Sequence, residues 1–404
     1  MRPSEQLDDF DPAVRRRALQ EISSQSQWPQ PTPQVNLHSH TFFSYNAYGY
    51  SPTHFALLAR QRGLMVSGIV DFDVLDGLEE FHEAGRLLEL KTCVSLESRA
   101  YVPEFADRVI NSPGEPGIAY HMGVGFSREI EHPLLTQMRR TAEQRNRELV
   151  ARVNAFTAPV ILDYDRDVLP LTPRGNATER HICEAYANKG DKEFWHRKLG
   201  DCPDDPAKLQ ALIRAKTMKR GGVGYVQPGA GAFPTLAEMN QFVLEAGAIP
   251  TMTWLDGTSE GEQCIEELIK VAKASGTAAL NIIPDRNYTP GVKDQKLQNL
   301  RDVIALAEKH HFPIIVGTEM NAPGNKFVDS FDTAELKAFV PVFLKGAHIV
   351  YAHALLQRHC ERGYLSDWAK QRFASVAEKN GFFERLGRDL SPNVTTDELL
   401  ARLQ

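Results

Sequence analysis

Two histidines in the segment Leu-His-Ser-His at 37–40 have the spacing of ligands to a shared metal ion. They end a short apolar run that predicts a β-strand at 35–38. Residues i and i+2 of an extended strand point to the same side, so both His38 and His40 can converge on one ion. Two surface histidines after a strand would show the same spacing, so the pair alone identifies no function.

Further ionisable side chains follow other predicted strands. Glu97 ends the third strand, His121 lies in the fourth, and Glu319 follows the last clear strand. Histidine and carboxylate groups are ligands that Zn²⁺, Mn²⁺ and Fe²⁺ accept. Active sites of α/β barrels lie at the C-terminal ends of the strands, so we expect these side chains to meet at one face. Together these residues predict a divalent-metal centre.

The elements that would position these residues alternate between strand and helix from residue 35 onward. After 35–38, strands are predicted at 66–71, 92–97, 118–126, 249–253, 278–283 and 313–316. Helices are predicted at 12–22, 52–62, 75–90, 236–246, 262–275 and 292–310. Such repeated strand–helix units indicate an α/β fold with a parallel sheet or a barrel.

The alternation is interrupted by a charged, mostly helical stretch, which divides the chain into segments. We predict a polar N-terminal arm at 1–34 and a barrel formed by 35–132 and 228–332. The stretch at 133–227 is then a helical insertion that caps one face, and 333–404 is a C-terminal helical extension.

Composition restricts the class of protein. With 404 residues, 42% hydrophobic and 24% charged, the chain is globular, which excludes bulk disorder. Its net charge of −6 does not indicate a nucleic-acid surface, although a local basic patch is compatible with it. The five widely spaced cysteines and the absence of a signal-peptide pattern predict a cytoplasmic location. The apolar stretch at 339–356 is interrupted by Lys345, His348 and His353, so we expect two buried segments there and no membrane span.

Two motifs resemble those of the polymerase and histidinol phosphatase (PHP) superfamily of metal-dependent phosphoesterases. Residues 37–44, Leu-His-Ser-His-Thr-Phe-Phe-Ser, resemble the family's first motif, His-x-His-Thr-x-x-Ser-Asp-Gly. Residues 70–78, Val-Asp-Phe-Asp-Val-Leu-Asp-Gly-Leu, resemble its second, Thr-Asp-His-Asp-Thr-x-x-Gly. The resemblance covers about 35–325 and implies a distorted (β/α)7 barrel of the PHP type, with phosphate-ester hydrolysis at the strand C-termini.

The resemblance also implies which metal positions are complete. The family's first position falls on His38, His40, Glu97 and, in place of an aspartate, Glu319. The second falls on Glu97, His121 and Trp254, and the third on Tyr45, Phe72 and Asn321. A phenyl or indole ring cannot ligate a metal as imidazole does. We therefore expect one or two divalent ions (Zn, Mn or Fe).

The remaining candidate residues would serve the ligands or the substrate. Asp71 is expected to hold a ligating imidazole in one tautomer. Arg180 and His181 lie near the position of a substrate-facing Arg-Pro-His-Ile motif of the family. Arginine binds phosphate through two oxygens at once. The predicted catalytic residues are His121, Asp71 and His181, and the predicted substrate-binding residues are Arg99, Arg180 and Arg286.

Three functional hypotheses stay open at this point. The first is a hydrolase that uses a metal-activated water on a small phosphorylated molecule. The second is a degenerate relative of the PHP proteins with a binding or structural role and no hydrolysis. The third is hydrolysis of a C–N or C–C bond by the same metal–water chemistry. The sequence specifies neither the substrate nor the oligomeric state.

Overall fold

The strands form one seven-stranded sheet that curls into a nearly closed barrel. A computed structural model describes residues 2–229, 231–288 and 292–403. The strands occur in sequential order across the sheet: β1 (Thr32–Asn36), β2 (Leu64–Phe72), β3 (Lys91–Tyr101), β4 (Ile118–Val124), β5 (Ile249–Trp254), β6 (Ala279–Ile282) and β7 (Ile314–Val316). The sheet therefore agrees with the predicted α/β barrel.

The first and last strands approach each other just beyond their C-terminal ends. The Leu37 N–H donates to the Val316 carbonyl at 2.8 Å, and the His40 N–H donates to the Glu319 carbonyl at 2.8 Å. An isolated parallel bridge joins Ser39 to Glu319. The segment that carries the two histidines therefore lies beside the segment that carries Glu319.

The direction of β4 differs from the parallel sheet that the strand–helix alternation predicts. β4 is antiparallel to both β3 and β5, while the other neighbouring pairs are parallel. A parallel pair needs a long crossover connection, usually an α-helix. The connection after β3 instead closes on itself, since the Val102 N–H donates to the Gly117 carbonyl at 2.8 Å. β4 consequently returns alongside β3 as a hairpin.

Helices connect the strands and pack against the sheet. They are α1 (Pro12–Ser24), α2 (Pro52–Gln61), α3 (Leu78–Leu88), α4 (Pro133–Thr157), α5 (Glu179–Lys189), α6 (Lys192–Leu199), α7 (Pro206–Thr217), α8 (Leu236–Glu245), α9 (Glu260–Gln263), α10 (Ile265–Ala274), α11 (Lys293–Lys309), α12 (Val340–Cys360), α13 (Asp367–Arg372), α14 (Val376–Asp389) and α15 (Thr396–Arg402). Short 3-10 turns lie at Pro3–Glu5, Pro103–Phe105, Leu169–Leu171, Pro284–Tyr288 and Lys337–Phe339, and a π turn at Tyr164–Val168.

The helices begin where local chemistry favours it. Ser51 accepts a hydrogen bond from the His54 N–H at the start of α2, and Pro52 takes the first helical position. Thr235 and Glu238 form a capping box at the start of α8.

The segment 133–227 holds α4 to α7 around its own small core and lies over the loops that follow β1 and β2. Asn176 donates to the Phe43 carbonyl at 3.0 Å and to the Phe72 carbonyl at 2.9 Å. The Tyr45 hydroxyl donates to Gln210 Oε1 at 3.0 Å. These contacts hold the helical segment against the C-terminal ends of β1 and β2.

The apolar stretch near the C-terminus forms one helix, α12, and not the two segments predicted from its charged interruptions. Lys337–Cys360 is long and apolar enough to cross a membrane, yet 61% of its most apolar window is buried inside the protein. The helix packs on β1 and β7. At Gly346 an added Cβ would lie 1.9 Å from the Ile314 carbonyl oxygen, so only glycine permits this close approach. The apolar length of α12 is therefore explained by packing against the barrel.

Candidate metal centre

His38, His40 and Glu97 meet inside the barrel. His38 Nε2 lies 3.8 Å from one oxygen of Glu97, and His40 Nε2 lies 3.2 Å from the other. One ligand atom from each residue lies within 4.8 Å of the other two, and all three side chains are buried. This nitrogen–nitrogen–oxygen set matches the donors that Zn²⁺, Mn²⁺ and Fe²⁺ accept.

The other ring nitrogen of each histidine, Nδ1, is hydrogen-bonded to a side chain of the protein. His38 Nδ1 donates to Asn281 Oδ1 at 3.2 Å. His40 Nδ1 lies 3.0 Å from Ser44 Oγ, whose hydrogen is donated to Asp71 Oδ1 at 2.6 Å. The Ser44 oxygen must therefore accept from His40. Both rings are held in the tautomer that leaves Nε2 with a lone pair.

The two Nε2 atoms are buried and have no hydrogen-bond partner among residues 2–229, 231–288 and 292–403. Buried polar nitrogens are nearly always paired, so an unpaired couple requires an explanation. Both atoms face the Glu97 carboxylate, and a cation between the three groups would satisfy them. The residues present thus fit a divalent ion.

Asp71 lies behind His40 and does not touch it. Its carboxylate accepts from the Thr41 N–H at 2.9 Å, from the Thr41 hydroxyl at 2.7 Å and from Ser44. Its hydrogen-bonded link to the imidazole runs through the Ser44 hydroxyl, and its charge also acts on the ring. Asp71, predicted to be catalytic, therefore orients the His40 ring and does not contact the place where a substrate would react.

Burial sets the protonation of the cluster. It lowers the pKa of His38 and of His40 below the usual histidine value, so both rings are neutral. It also raises the pKa of Glu97 to about 7. Neutral imidazoles are the form that binds a metal, and a bound cation would favour the ionised carboxylate.

Glu319 lies beside this cluster and is held by other partners. Arg286 donates to its Oε1 from Nε at 3.1 Å and from Nη2 at 2.9 Å, and Asn321 donates to Oε2 at 3.1 Å. Burial alone would raise the pKa of Glu319, but Arg286 and the two histidines lower it to about 2. Glu319 therefore contributes a negative charge near the ligands, whereas the compact ligand group consists of the other three residues.

The loops around the cluster contain backbone conformations that favour glycine. Of the seven non-glycine residues with positive φ in the described ranges, four lie after barrel strands: Tyr45 (φ 100°), Asp73 (φ 58°), Glu319 (φ 66°) and Met320 (φ 55°). Each such residue costs on the order of 1–3 kcal/mol. Strained backbone of this kind concentrates at functional sites, which supports a function at this end of the barrel.

The residues that the PHP resemblance places at a third metal position make contacts of a different kind. The Phe72 ring stacks on the His40 ring with centroids 4.8 Å apart. Tyr45 is bonded to Gln210, and Asn321 to Glu319. The phenyl ring thus packs against one face of His40, a candidate ligand.

The structure does not bring His121 to the cluster, contrary to its predicted roles as ligand and catalytic residue. His121 pairs with Ser98 in the β3–β4 hairpin, whereas Glu97 pairs with Met122, so the two side chains point to opposite faces. His121 Nε2 donates to Asn240 Oδ1 of α8 at 2.7 Å. The inward residue next to it is Tyr120.

Trp254, like His121, lies on the outer face of its strand because side chains alternate between the two faces. Its neighbour Thr253 faces inward, where its hydroxyl accepts from Asn281 at 3.3 Å. Trp254 therefore lies on the opposite face, buried in the main core.

We expect His121→Ala to lower stability and to leave metal binding intact. The change strands the Asn240 oxygen in the protein interior and opens a cavity, which costs about 2 kcal/mol or more. Urea unfolding and metal counting on the folded variant test this. Loss of metal at unchanged stability would contradict the placement of His121.

The three predicted substrate-binding arginines have different surroundings. Arg99 donates to Glu115 at 2.9 Å, and Arg286 is bonded to Glu319. The Arg180 guanidinium is half-buried and forms no ion pair with any described carboxylate. Its charge interacts with His40 and with Glu319. Arg180 is thus the arginine best placed to receive an anionic ligand.

His181 lies next to Arg180 and packs against Tyr45. Its Nδ1 accepts from the Thr178 N–H at 3.0 Å, and its ring centroid is 5.1 Å from that of Tyr45. Burial lowers the pKa of His181 to about 3, so the ring is neutral and carries its hydrogen on Nε2. The structure therefore places His181 in the wall above the β1 loop, as a hydrogen-bond donor.

Sequence reasoning missed several residues of this site. Ser44 stands in the first motif and could have been assigned from it. Asn281 and Tyr120 lie in buried strands and give no separate signal. The guanidinium carbon of Arg145 in α4 lies 5.2 Å from the centroid of the Phe233 ring. The guanidinium carbon of Arg99 lies 4.2 Å from the same centroid. Only the packing of the helical segment reveals Arg145.

Comparisons with known proteins bear on the fold. No family model matches the sequence, and no curated protein matches it. An amidohydrolase from Chromobacterium violaceum, solved with bound sulfate and no metal, has a similar structure with a TM-score of 0.54 and 18% identity, over 72% of this chain and 88% of that one. A protein from Bifidobacterium adolescentis, proposed to be a metal-dependent phosphoesterase, gives a TM-score of 0.53 and 18% identity, over 78% of this chain and 98% of that one. At these identities the likeness shows the barrel fold.

Proposed function

We propose that this protein is a metal-dependent hydrolase that cleaves a phosphate ester at the C-terminal face of its barrel. The observation that carries the proposal is the pair of buried, unpartnered Nε2 atoms of His38 and His40 facing Glu97. Their Nδ1 atoms are fixed by Asn281 and Ser44. Such pre-orientation is characteristic of metal ligands.

The residues would divide the work as follows. His38, His40 and Glu97 would hold one divalent ion (Zn, Mn or Fe), with Glu319 adding negative charge. Such an ion, when bound, polarises the scissile group and lowers the pKa of a water molecule to about 7. Asp71 fixes the His40 ring through Ser44. Arg180 would bind the anionic group of the substrate.

Support for a phosphate ester comes from two sources. The motifs at 37–44 and 70–78 resemble those of the PHP phosphoesterases. One protein of similar fold is itself proposed to be a metal-dependent phosphoesterase. An amidohydrolase also shares the fold, so C–N bond hydrolysis is the alternative that an assay must address.

The test is hydrolysis by protein reconstituted with Zn²⁺, Mn²⁺ or Fe²⁺ after chelation. We expect about one metal per chain and metal-dependent release of phosphate from a panel of small phosphomonoesters and phosphodiesters. His38→Ala, purified in parallel, is the control because a contaminating phosphatase would accompany it unchanged. Equal rates for the two proteins would refute the hydrolase. Release of an amine from amide substrates without any phosphate release would instead assign a C–N hydrolase.

A further inference from the structure

Tyr120 occupies the inward position of β4 that sequence reasoning gave to His121. It pairs with Arg99 across the β3–β4 hairpin, and Met122, two residues on, pairs with Glu97. Side chains alternate between faces along a strand, so Tyr120, Arg99 and Glu97 share the inner face. The Tyr120 N–H donates to Asn111 Oδ1 at 2.8 Å, which fixes its backbone.

The phenol of Tyr120 lies among the charged groups of the site. It interacts electrostatically with two cations, Arg99 and Arg286, and with two carboxylates, Glu97 and Glu319. Glu319 also acts on His38 and His40, and Arg286 acts on Glu97, so three of these four groups belong to the surroundings of the histidine cluster.

Its hydroxyl is available to a ligand. The side chain is half-buried. Within the described ranges, the hydrogen bond that Tyr120 makes to a side chain comes from its backbone N–H, and its hydroxyl forms none. Tyr45 differs in this respect because its hydroxyl is already donated to Gln210. A phenol both donates and accepts hydrogen bonds, and beside a cation site its hydrogen is directed to an oxygen of an anionic ligand.

We propose that Tyr120 is a catalytic residue of this site, donating a hydrogen bond to the substrate oxygen on which negative charge develops. The proposal rests on the proposed function and adds a residue to it. A fixed donor aimed at developing charge stabilises the transition state more than the ground state. A fully enclosed donor contributes about 10²–10³-fold, and a half-buried one contributes less.

The test compares Tyr120→Phe with Tyr48→Phe. Phenylalanine keeps the ring that packs in the barrel and removes only the hydroxyl. Tyr48 is a surface residue whose hydroxyl donates to the Asn325 carbonyl at 3.2 Å. We expect Tyr120→Phe to lower kcat by about tenfold or more, with KM changed less and metal content unchanged. Tyr48→Phe should match the wild type.

A second measurement separates this proposal from the proposed function. Calorimetric binding of inorganic phosphate to the metal-loaded proteins needs no turnover. If the wild type hydrolyses no ester tested, the hydrolase is refuted. Weaker phosphate binding by Tyr120→Phe would in that case still support a contact between Tyr120 and an anion. Unchanged kcat and unchanged phosphate affinity would overturn the role of Tyr120. Loss of metal from Tyr120→Phe would also overturn it, because the hydroxyl would then serve the ion.

Discussion

Replacement of Glu97 by glutamine is expected to abolish both metal binding and hydrolysis. Glu97 supplies the only carboxylate of the compact ligand group. A neutral amide lacks the charge that attracts a divalent cation, while its size and shape are retained. The bound metal should fall from about one per chain to near zero, and the rate should fall by at least about 10²-fold. Metal analysis and phosphate release measured on the same preparation test this.

The fold of this variant provides an internal control. Glu97 forms no hydrogen bond with the described residues apart from its contacts with the two histidines, and burial raises its pKa to about 7. A buried charge without hydrogen bonds is costly, and a neutral amide of the same shape avoids that cost. The metal-free variant should therefore be no less stable than the metal-free wild type.

Glu267→Gln is the matched surface control for this experiment. Its carboxylate is exposed and pairs with Arg108 at 2.8 Å. It should keep both metal and activity. If Glu97→Gln retains metal at wild-type affinity, the ligand group has been assigned incorrectly.

The strands and helices that position the site are predictable because their patterns are local. The helix predicted at 236–246 is observed at Leu236–Glu245, since a capping box at Thr235 marks its start. The strand predicted at 249–253 is observed at Ile249–Trp254. The His-x-His pair at 38 and 40 also follows from strand geometry alone, because both residues must share a face.

The direction of a strand, and which of its faces points into the barrel, could not be predicted from local sequence patterns. In β4, residues on both faces are buried or half-buried, so alternation of polar and apolar residues gives no sign of which face is inward. A shift of one residue then exchanges the two faces of the strand. The sequence therefore points to His121, whereas the register of the hairpin places Tyr120 on the inner face.

Glu319 shows a different limit of the sequence. Its type and its place after β7 suggest a ligand, but the loop adopts left-handed φ at both Glu319 and Met320. No glycine marks this conformation. The carboxylate consequently meets Arg286, a partner from a separate turn after β6, which no local pattern connects with it.

Replacement of Arg180 by glutamine is expected to weaken substrate binding while leaving the metal in place. Arg180 stands in the first turn of α5, and its charge interacts with both His40 and Glu319. It has no carboxylate partner among the described residues, in contrast to Arg99 and Arg286. A half-buried cation without a fixed counter-ion is suited to bind an anion that arrives with the substrate.

The expected size of the effect follows from the bonds that are lost. Hydrogen bonds to charged groups contribute about 1.5–3 kcal/mol, which corresponds to roughly a 10- to 10²-fold rise in KM. Inhibition by inorganic phosphate should weaken by a similar factor. Arg197→Gln is the matched control because Arg197 lies in α6 of the same helical segment and is exposed, paired with Glu193. If Arg180→Gln and wild type share one KM and one phosphate affinity, the anion is bound elsewhere, and the helical segment serves only to cover the barrel.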